Sequence, residues 1–186
     1  LSLVGSEMCI RDRCMFISSS VNNSHRLEYL SELMEYLPID SYGSWRRNCV
    51  LDEDRGYITK LDVIKQYKFT IAFENAVSKD YVTEKFFEPL IVGSVPVYLG
   101  APNIEMFSPG ERAFIDVRNY ASPKSLADDI MKYCQDISKY NVLLGWKKKP
   151  LSGGMKKLIN EQQVHAFIRM VMLAKNRIEL LNKTEM

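Results

Sequence analysis

Two periods alternate along this chain. Short apolar runs, each long enough for one buried strand, are followed by stretches whose apolar residues return every third or fourth position. Met15–Ser20 (MFISSS) reads as a strand opening into a hydroxyl-rich loop. Leu27, Leu30, Leu33 and Met34 then mark one buried face of a helix over Ser24–Tyr36, stopped by Pro38. Ile39–Gly43 is a brief strand, Ser44–Thr59 a charged loop and Leu61–Tyr67 a short helix. Phe69–Phe73 (FTIAF) is a strand with Glu74 and Asn75 at its carboxyl end. A helix is predicted over Asp80–Val92, kinked or shortened by Pro89 and ended by Gly93. Val95–Leu99 (VPVYL) is the next strand, although Pro96 is unusual in a central one. A turn, Gly100–Asn103, leads into a short helix at Ile104–Phe107, and Phe114–Val117 is the last strand. Ser122 and Pro123 cap and open a helix reaching Ile137. Lys139–Trp146 and Met155–Leu181 are predicted to be helical. Short apolar strands alternating with helices predict an α/β fold with a parallel sheet of five or six strands covered on both faces. Phe69–Phe73 and Val95–Leu99 are expected to be neighbours or near neighbours in it.

The first residues stand apart from this pattern. Leu3–Arg13 (LVGSEMCIRDR) reads back codon by codon as a transposase adapter used in sequencing libraries. Residues 1–13 are therefore expected to be a translated adapter making few contacts. Residues 14–186 are expected to be one lobe of a longer protein.

Composition narrows the classes. The 186 residues are 46% hydrophobic and 26% charged, which excludes a disordered chain. A formal charge of +2 argues against a dedicated nucleic-acid surface. No apolar run approaches the roughly 20 residues that cross a bilayer. Cys9, Cys14, Cys49 and Cys134 form no CxxC motif, and His25 and His165 offer few further ligands to zinc.

In an open parallel sheet, ligands bind beyond the carboxyl ends of the strands. Ser18, Ser19, Ser20, Asn22 and Arg26 follow the first strand, Tyr42 and Gly43 close the second, Glu74 and Asn75 follow the third, and Gly100–Asn103 follow the fourth. Neither GxGxxG nor GxxxxGK[ST] is present, but a helix N-terminus with a basic residue also holds phosphate. The run Asp80–Lys85 (DYVTEK) offers that arrangement. On its own, a Glu84–Lys85 pair also fits a solvated helix face.

Lys68–Asn75 (KFTIAFEN), Asp80–Lys85 and Gly93–Gly100 (GSVPVYLG), at this spacing, resemble the signature of the α1,3/4-fucosyltransferases, glycosyltransferase family 10. The resemblance continues through Ala101–Ile104, the Ser122–Pro123 helix and Trp146, and covers Cys14–Ile178. Glu84–Leu90 (EKFFEPL), Val92–Ser94, His165, Arg169, Arg177 and Ile178 look most similar to the plant-type branch that modifies the core of N-glycans.

The resemblance implies a GT-B enzyme of two Rossmann-like lobes, with residues 14–186 as the C-terminal lobe that binds GDP-β-L-fucose. The implied reaction transfers L-fucose, with inversion, to a GlcNAc hydroxyl of a glycoprotein N-glycan. Lys85 and Arg26 would contact the diphosphate, and Glu84 would lie near the fucose ring. Asn75, Tyr81, Glu74, Tyr42 and Gly43 would surround the donor, Glu74 alternatively bonding loop amides. Cationic groups would stand in for a divalent metal at the leaving group, so no cofactor is expected. The resemblance also implies residence on the lumenal side of the Golgi membrane through an anchor outside this chain, with the acceptor lobe and its base outside it as well. The chain alone is then expected to be inactive.

Other readings of the same residues remain. Arg26 also fits a surface helix arginine, and Tyr81 a sheet-packing residue. His25, His165 and Trp146 fit structural roles. The whole chain also fits a nucleotide-sugar-binding lobe without catalysis, or a flavodoxin-type phosphate-binding domain that would rely on backbone amides rather than on both Arg26 and Lys85.

Overall fold

A computed structural model describes residues 11–51, 53–160 and 171. In chain order the elements are β1 (Arg11–Met15), α1 (Arg26–Tyr36), β2 (Asp40–Ser41), α2 (Tyr57–Ile64), β3 (Tyr67–Phe73), α3 (Glu84–Val92), β4 (Val95–Leu99), β5 (Ile115–Asp116), α4 (Pro123–Gln135), α5 (Ile137–Leu143) and α6 (Gly153–Asn160). The five strands form one sheet in the order β2-β1-β3-β4-β5. Every pairing is parallel, and Phe69–Phe73 lies directly against Val95–Leu99. The α/β fold expected from the alternating pattern is the fold observed.

Strand side chains alternate between the two faces. Phe69, Ile71 and Phe73 enter a core with Met15, Ile17, Leu30, Leu33, Leu126 and Ile130, beneath α1 and α4. On the other face, Ala72 and Tyr98 pack with Phe86, Phe87 and Leu90 of α3, and Cys14 packs with Ile64 of α2 and Tyr67. Phe86 stands edge-on to Phe87, Tyr98 and Phe114, with ring centroids 5.1–5.3 Å apart. Pro96 is tolerated because β5 is only two residues long and meets β4 at Val97 and Tyr98. No β5 carbonyl therefore needs an N–H from Pro96.

Several boundaries differ from expectation. β1 begins at Arg11 rather than Met15, and Arg11 and Arg13 are in register with Tyr67 and Phe69. The expectation of few contacts therefore fails for Arg11–Arg13; residues 1–10 lie outside the described residues. Parallel pairing uses backbone groups, which any non-proline residue supplies. Arg13 is buried and its Nε donates to the Pro38 carbonyl at 3.0 Å. The helix predicted from Asp80 starts only at Glu84, because Asp80 sits at φ 62. Its N–H donates to Asn103 Oδ1 at 3.0 Å, while Asn103 Nδ2 donates to Asp80 Oδ1 at 2.7 Å. The helix around Leu61 begins early, at Tyr57, and ends at Ile64, leaving Tyr67 to open β3.

Two helix ends follow their sequence signals. Ser122 and Ser125 form a reciprocal capping box before α4, with Pro123 in its first turn. Gly93, at φ 100, ends α3. The predicted C-terminal helix is seen over α6; beyond Asn160, apart from the helical, buried Val171, it lies outside the described residues, as do His165, Arg169, Arg177 and Ile178.

Candidate functional site

The strand order reverses direction between β1 and β3, so the loops that leave their carboxyl ends part and frame a crevice. Arg26 ties these loops together. Its Nη1 donates to the Phe73 carbonyl at 3.0 Å and its Nη2 to the Ser19 carbonyl at 2.9 Å. Ser24 adds two more links: its hydroxyl donates to the Glu74 carbonyl at 2.6 Å and its N–H to the Asn75 carbonyl at 3.0 Å. Arg26 is only 1% exposed. Burial pulls its affinity for the proton down while the Glu74 charge pushes it up; a guanidinium keeps its charge through such shifts. The surface-arginine alternative is therefore excluded. The side chain stands at the predicted edge of the sheet, with its bonds directed to backbone.

Glu74 lies at the centre. Its side chain is fully buried, and its Oε1 accepts from the Thr83 N–H at 2.8 Å and from the Thr83 hydroxyl at 3.0 Å. Its Oε2 is 2.8 Å from the same hydroxyl and 3.5 Å from Lys85 Nζ. Burial pushes the carboxyl up from its ordinary value, opposed by the Thr83 amide, Lys85 and the Thr83 hydroxyl. Glu74 thus bonds a loop amide, the structural alternative, rather than presenting itself to a ligand. Gly100 is required beside it, since a Cβ there would lie 2.6 Å from Glu74 Cγ and collide with the Tyr98 hydroxyl.

Lys85 occupies the first turn of α3, with Thr83 as the N-cap. Its Nζ lies 3.0 Å from Thr83 Oγ1 and 3.1 Å from Glu84 Oε1. Burial raises the Glu84 carboxyl, but attraction and a hydrogen bond from Lys85, its own backbone amide and Lys60 together hold it below the ordinary range. Because the helix starts at Glu84, Lys85 is closer to the free amides of the helix N-terminus than the predicted Asp80 start allowed. α1 and α3 belong to opposite layers, yet Lys85 lies 3.5 Å from the Glu74 carboxylate and Arg26 bonds the Phe73 carbonyl one residue before it.

The remaining predicted positions divide. Tyr81 is 38% exposed and Asn75 is partly exposed, both on the loop between β3 and α3. Tyr42 is a correction. Its ring stacks on Phe16 and its hydroxyl is 2.9 Å from that of Tyr67, the first residue of β3. The side chain therefore runs back towards the amino end of the sheet, drawn by a polar cluster of Arg11, Asp40 and Tyr67. Gly43 does stand at the carboxyl edge, pressed against Ile17.

Thr83, Lys60 and Glu88 escaped the sequence reading. Lys60 Nζ pairs with the buried Glu88 at 2.6 Å and lines one narrow cleft with Phe16, Lys85 and Glu88. A threonine ahead of Glu-Lys-Phe-Phe was a readable N-cap signal, masked by the longer predicted helix. Nothing in the sequence paired Lys60 with Glu88. Among the described residues no cluster of three or more His, Cys, Asp or Glu is arranged to hold a metal.

The fold and the position of these side chains define the class: an α/β lobe with a cation-bearing helix N-terminus at its switch point, suited to a phosphorylated ligand. Residues 10–177 match the family described as Glycosyltransferase family 10 (fucosyltransferase) C-term, and the chain belongs to that family. A putative fucosyltransferase-like protein of Arabidopsis thaliana is 37% identical over 164 residues, 88% of this chain and 31% of that protein. The GDP-fucose protein O-fucosyltransferase 3 of Homo sapiens is 41% identical over 132 residues, covering 68% of this chain and 28% of that protein. The chain thus spans about three tenths of the curated relatives it matches. A solved α1,3-fucosyltransferase with GDP-fucose superposes with a TM-score of 0.62 at 24% identity, covering 75% of this chain and 40% of that one, which shows a shared fold.

Proposed function

We propose that this chain is the donor-binding lobe of a fucosyltransferase, holding GDP-β-L-fucose at the β1/β3 switch point with its diphosphate on the N-terminus of α3 and Lys85. The observation that carries this reading is the placement of Lys85 in the first turn of α3, mostly covered, beside the crevice that Arg26 and Glu74 frame. In the proposed reaction an acceptor hydroxyl attacks C1 of fucose from the face opposite GDP. The C1–O bond to the diphosphate breaks, a base takes the hydroxyl proton, and GDP leaves as an anion. The ammonium of Lys85 and the helix amides stabilise that departing charge. Glu84, held ionised beside Lys85, faces the developing positive charge of the sugar ring. The base is assigned to the part of the relatives' length that this chain does not span.

The acceptor we propose is a GlcNAc hydroxyl of an N-glycan, as in the plant-type branch, with lumenal Golgi residence. The identity to relatives named protein O-fucosyltransferase 3 favours a second reading, in which a protein hydroxyl is the acceptor. Calorimetric titration with GDP-fucose, GDP and UDP-galactose tests the donor. Binding of both guanosine nucleotides with no response to UDP-galactose is expected; no binding of GDP-fucose overturns the reading. Turnover of a full-length enzyme on N-glycan against folded protein acceptors separates the two acceptor readings.

A further inference from the structure

We infer that Glu74 is a positioning residue acting through Lys85: it holds the Lys85 ammonium at the head of α3, and it takes up a proton when that ammonium turns to an anionic diphosphate. The inference rests on the donor reading above and adds a proton to the binding step.

The geometry makes Glu74 and Lys85 unequal partners. Lys85 Nζ touches two carboxylates, Glu84 at 3.1 Å and Glu74 at 3.5 Å. The Glu84 side chain is 35% exposed, so water shares the solvation of its charge. Glu74 is fully buried, and its protein partners are the Thr83 amide and hydroxyl and Lys85. Lys85 is the one of these that carries a positive charge, and its side chain is 21% exposed on a flexible stem. A diphosphate at the helix N-terminus offers that ammonium a denser negative charge than either carboxylate. Once the ammonium turns, Glu84 can rehydrate but Glu74 cannot.

A buried carboxylate that loses its counter-ion neutralises rather than remaining charged. The other groups facing Glu74 do not change this balance. Arg26 on α1 bonds the Phe73 and Ser19 carbonyls through Nη1 and Nη2, its buried Nε is unpaired, and its fixed charge acts on Glu74 in both states. Tyr98 on β4 accepts from the Ala101 N–H at 2.9 Å, and burial pushes its phenol well above the ordinary value, so it carries no charge. Tyr81 acts on Arg26 from the loop, and Glu84 on α3 repels a charged Glu74. Arg26, Tyr98 and Tyr81 remain in place whether Lys85 points to Glu74 or to phosphate. The proton comes from solvent and lands on Glu74; Lys85 remains an ammonium throughout, and no covalent bond to the donor is made or broken. Protonated Glu74 still accepts from the Thr83 N–H, so the loop between β3 and α3 stays anchored while the lysine is released.

GDP-fucose is the probe of choice, because its diphosphate is esterified at both ends and lacks the phosphate proton that titrates near pH 6 in a terminal phosphate. Its binding is followed calorimetrically near neutral pH in buffers of differing ionisation enthalpy. The slope of the observed enthalpy is expected to show uptake of up to about one proton per nucleotide. Glu74→Gln, which keeps the side-chain shape and an acceptor for the Thr83 amide, is expected to bind with no linked proton. In a second measurement without nucleotide, the Glu74 carboxyl is followed by carbon NMR in the wild type and in Lys85→Met. Its titration midpoint should rise by about one pH unit or more in the variant, the scale for losing a close opposite charge. Binding of GDP-fucose without proton uptake, the same uptake in Glu74→Gln, or an unmoved midpoint in Lys85→Met each overturns the inference. No binding of GDP-fucose by the wild type overturns the donor reading and this step together, whereas binding without linkage overturns this step alone.

Discussion

Gly43 lies so close to Ile17 that a Cβ added to it would collide with the Ile17 carbonyl group. The loops leaving β1 and β2 are pressed together there, and the Trp45 N–H donates to that same carbonyl at 2.9 Å. Ser44 adds an N–H to Ser18 Oγ at 3.1 Å and a hydroxyl to the Ser18 carbonyl at 3.0 Å. Backbone cannot rotate away as a side chain can. Gly43→Ala is therefore expected to destabilise the chain by about 1–3 kcal/mol, the usual scale for overpacking. Gly145→Ala, which meets nothing within 4 Å, should stay within about 0.5 kcal/mol. Urea unfolding of the two variants makes the comparison.

Arg26→Met keeps the length of the side chain and removes its donors. The Phe73 and Ser19 carbonyls then lose their bonds to Nη1 and Nη2. The expected loss is about 1–3 kcal/mol for each buried group left unpaired. Arg26→Lys should recover only part of it, because a point ammonium cannot match the guanidinium fork across both carbonyls. Denaturation midpoints in the order wild type, Lys, Met are expected; a Met variant as stable as wild type would mean that the bridge between the loops does not matter.

How far the sequence reached can be judged from these same residues. The layered architecture was legible because Phe69, Ile71 and Phe73 alternate with Thr70 and Ala72, and because Leu27, Leu30 and Leu33 keep a helical period. The segment from Asp80 to Thr83 was not, since its departure from helix depends on Asn103, 23 residues away. The direction of Tyr42 likewise depends on Tyr67 and Arg11, brought near only by strand pairing. The sequence placed Lys85 at the strand ends, but the burial of Glu74 and Arg26 follows from how the loops close over them. β1 shows the converse: its first residues carry no strand signature, and the sheet accepts them through the backbone.

A third expectation concerns pH. Burial raises the Glu88 carboxyl above its ordinary value, with Lys60 opposing. The folded state then holds this proton more tightly than the unfolded one, so the Glu88 contribution to stability is greatest at low pH and falls as pH rises through the raised value. Glu88→Gln removes that titration. From about pH 4 to pH 7 the variant should gain stability relative to wild type. Paired denaturation curves across that range test the sign, and a difference that moves the other way would mean that Lys60 outweighs burial.

The last prediction joins the geometry to the proposed transfer. In a full-length enzyme, Lys85→Ala is expected to lower fucose transfer by about a hundredfold or more, the scale for removing one group that stabilises developing charge. The reason lies in what remains. The free amides of α3 still face the crevice, but Glu84, partly exposed and so able to stay charged, stands beside them as a negative charge that Lys85 no longer offsets. Alanine therefore both removes a cation and unmasks an anion where the diphosphate must leave. Lys85→Gln unmasks the same charge, so it should do no better than alanine, whereas a loss of length alone would be largely repaired by it. Thr83→Ala removes the N-cap and one contact to Lys85 Nζ without deleting the charge, and should fall between wild type and Lys85→Ala. Arg26→Met combined with Lys85→Ala should be worse than either, because the first loosens the crevice and the second its charge. The chain by itself should show no turnover. GDP release measured on wild type and these variants decides the matter: near-normal turnover in Lys85→Ala would remove the residue from the mechanism.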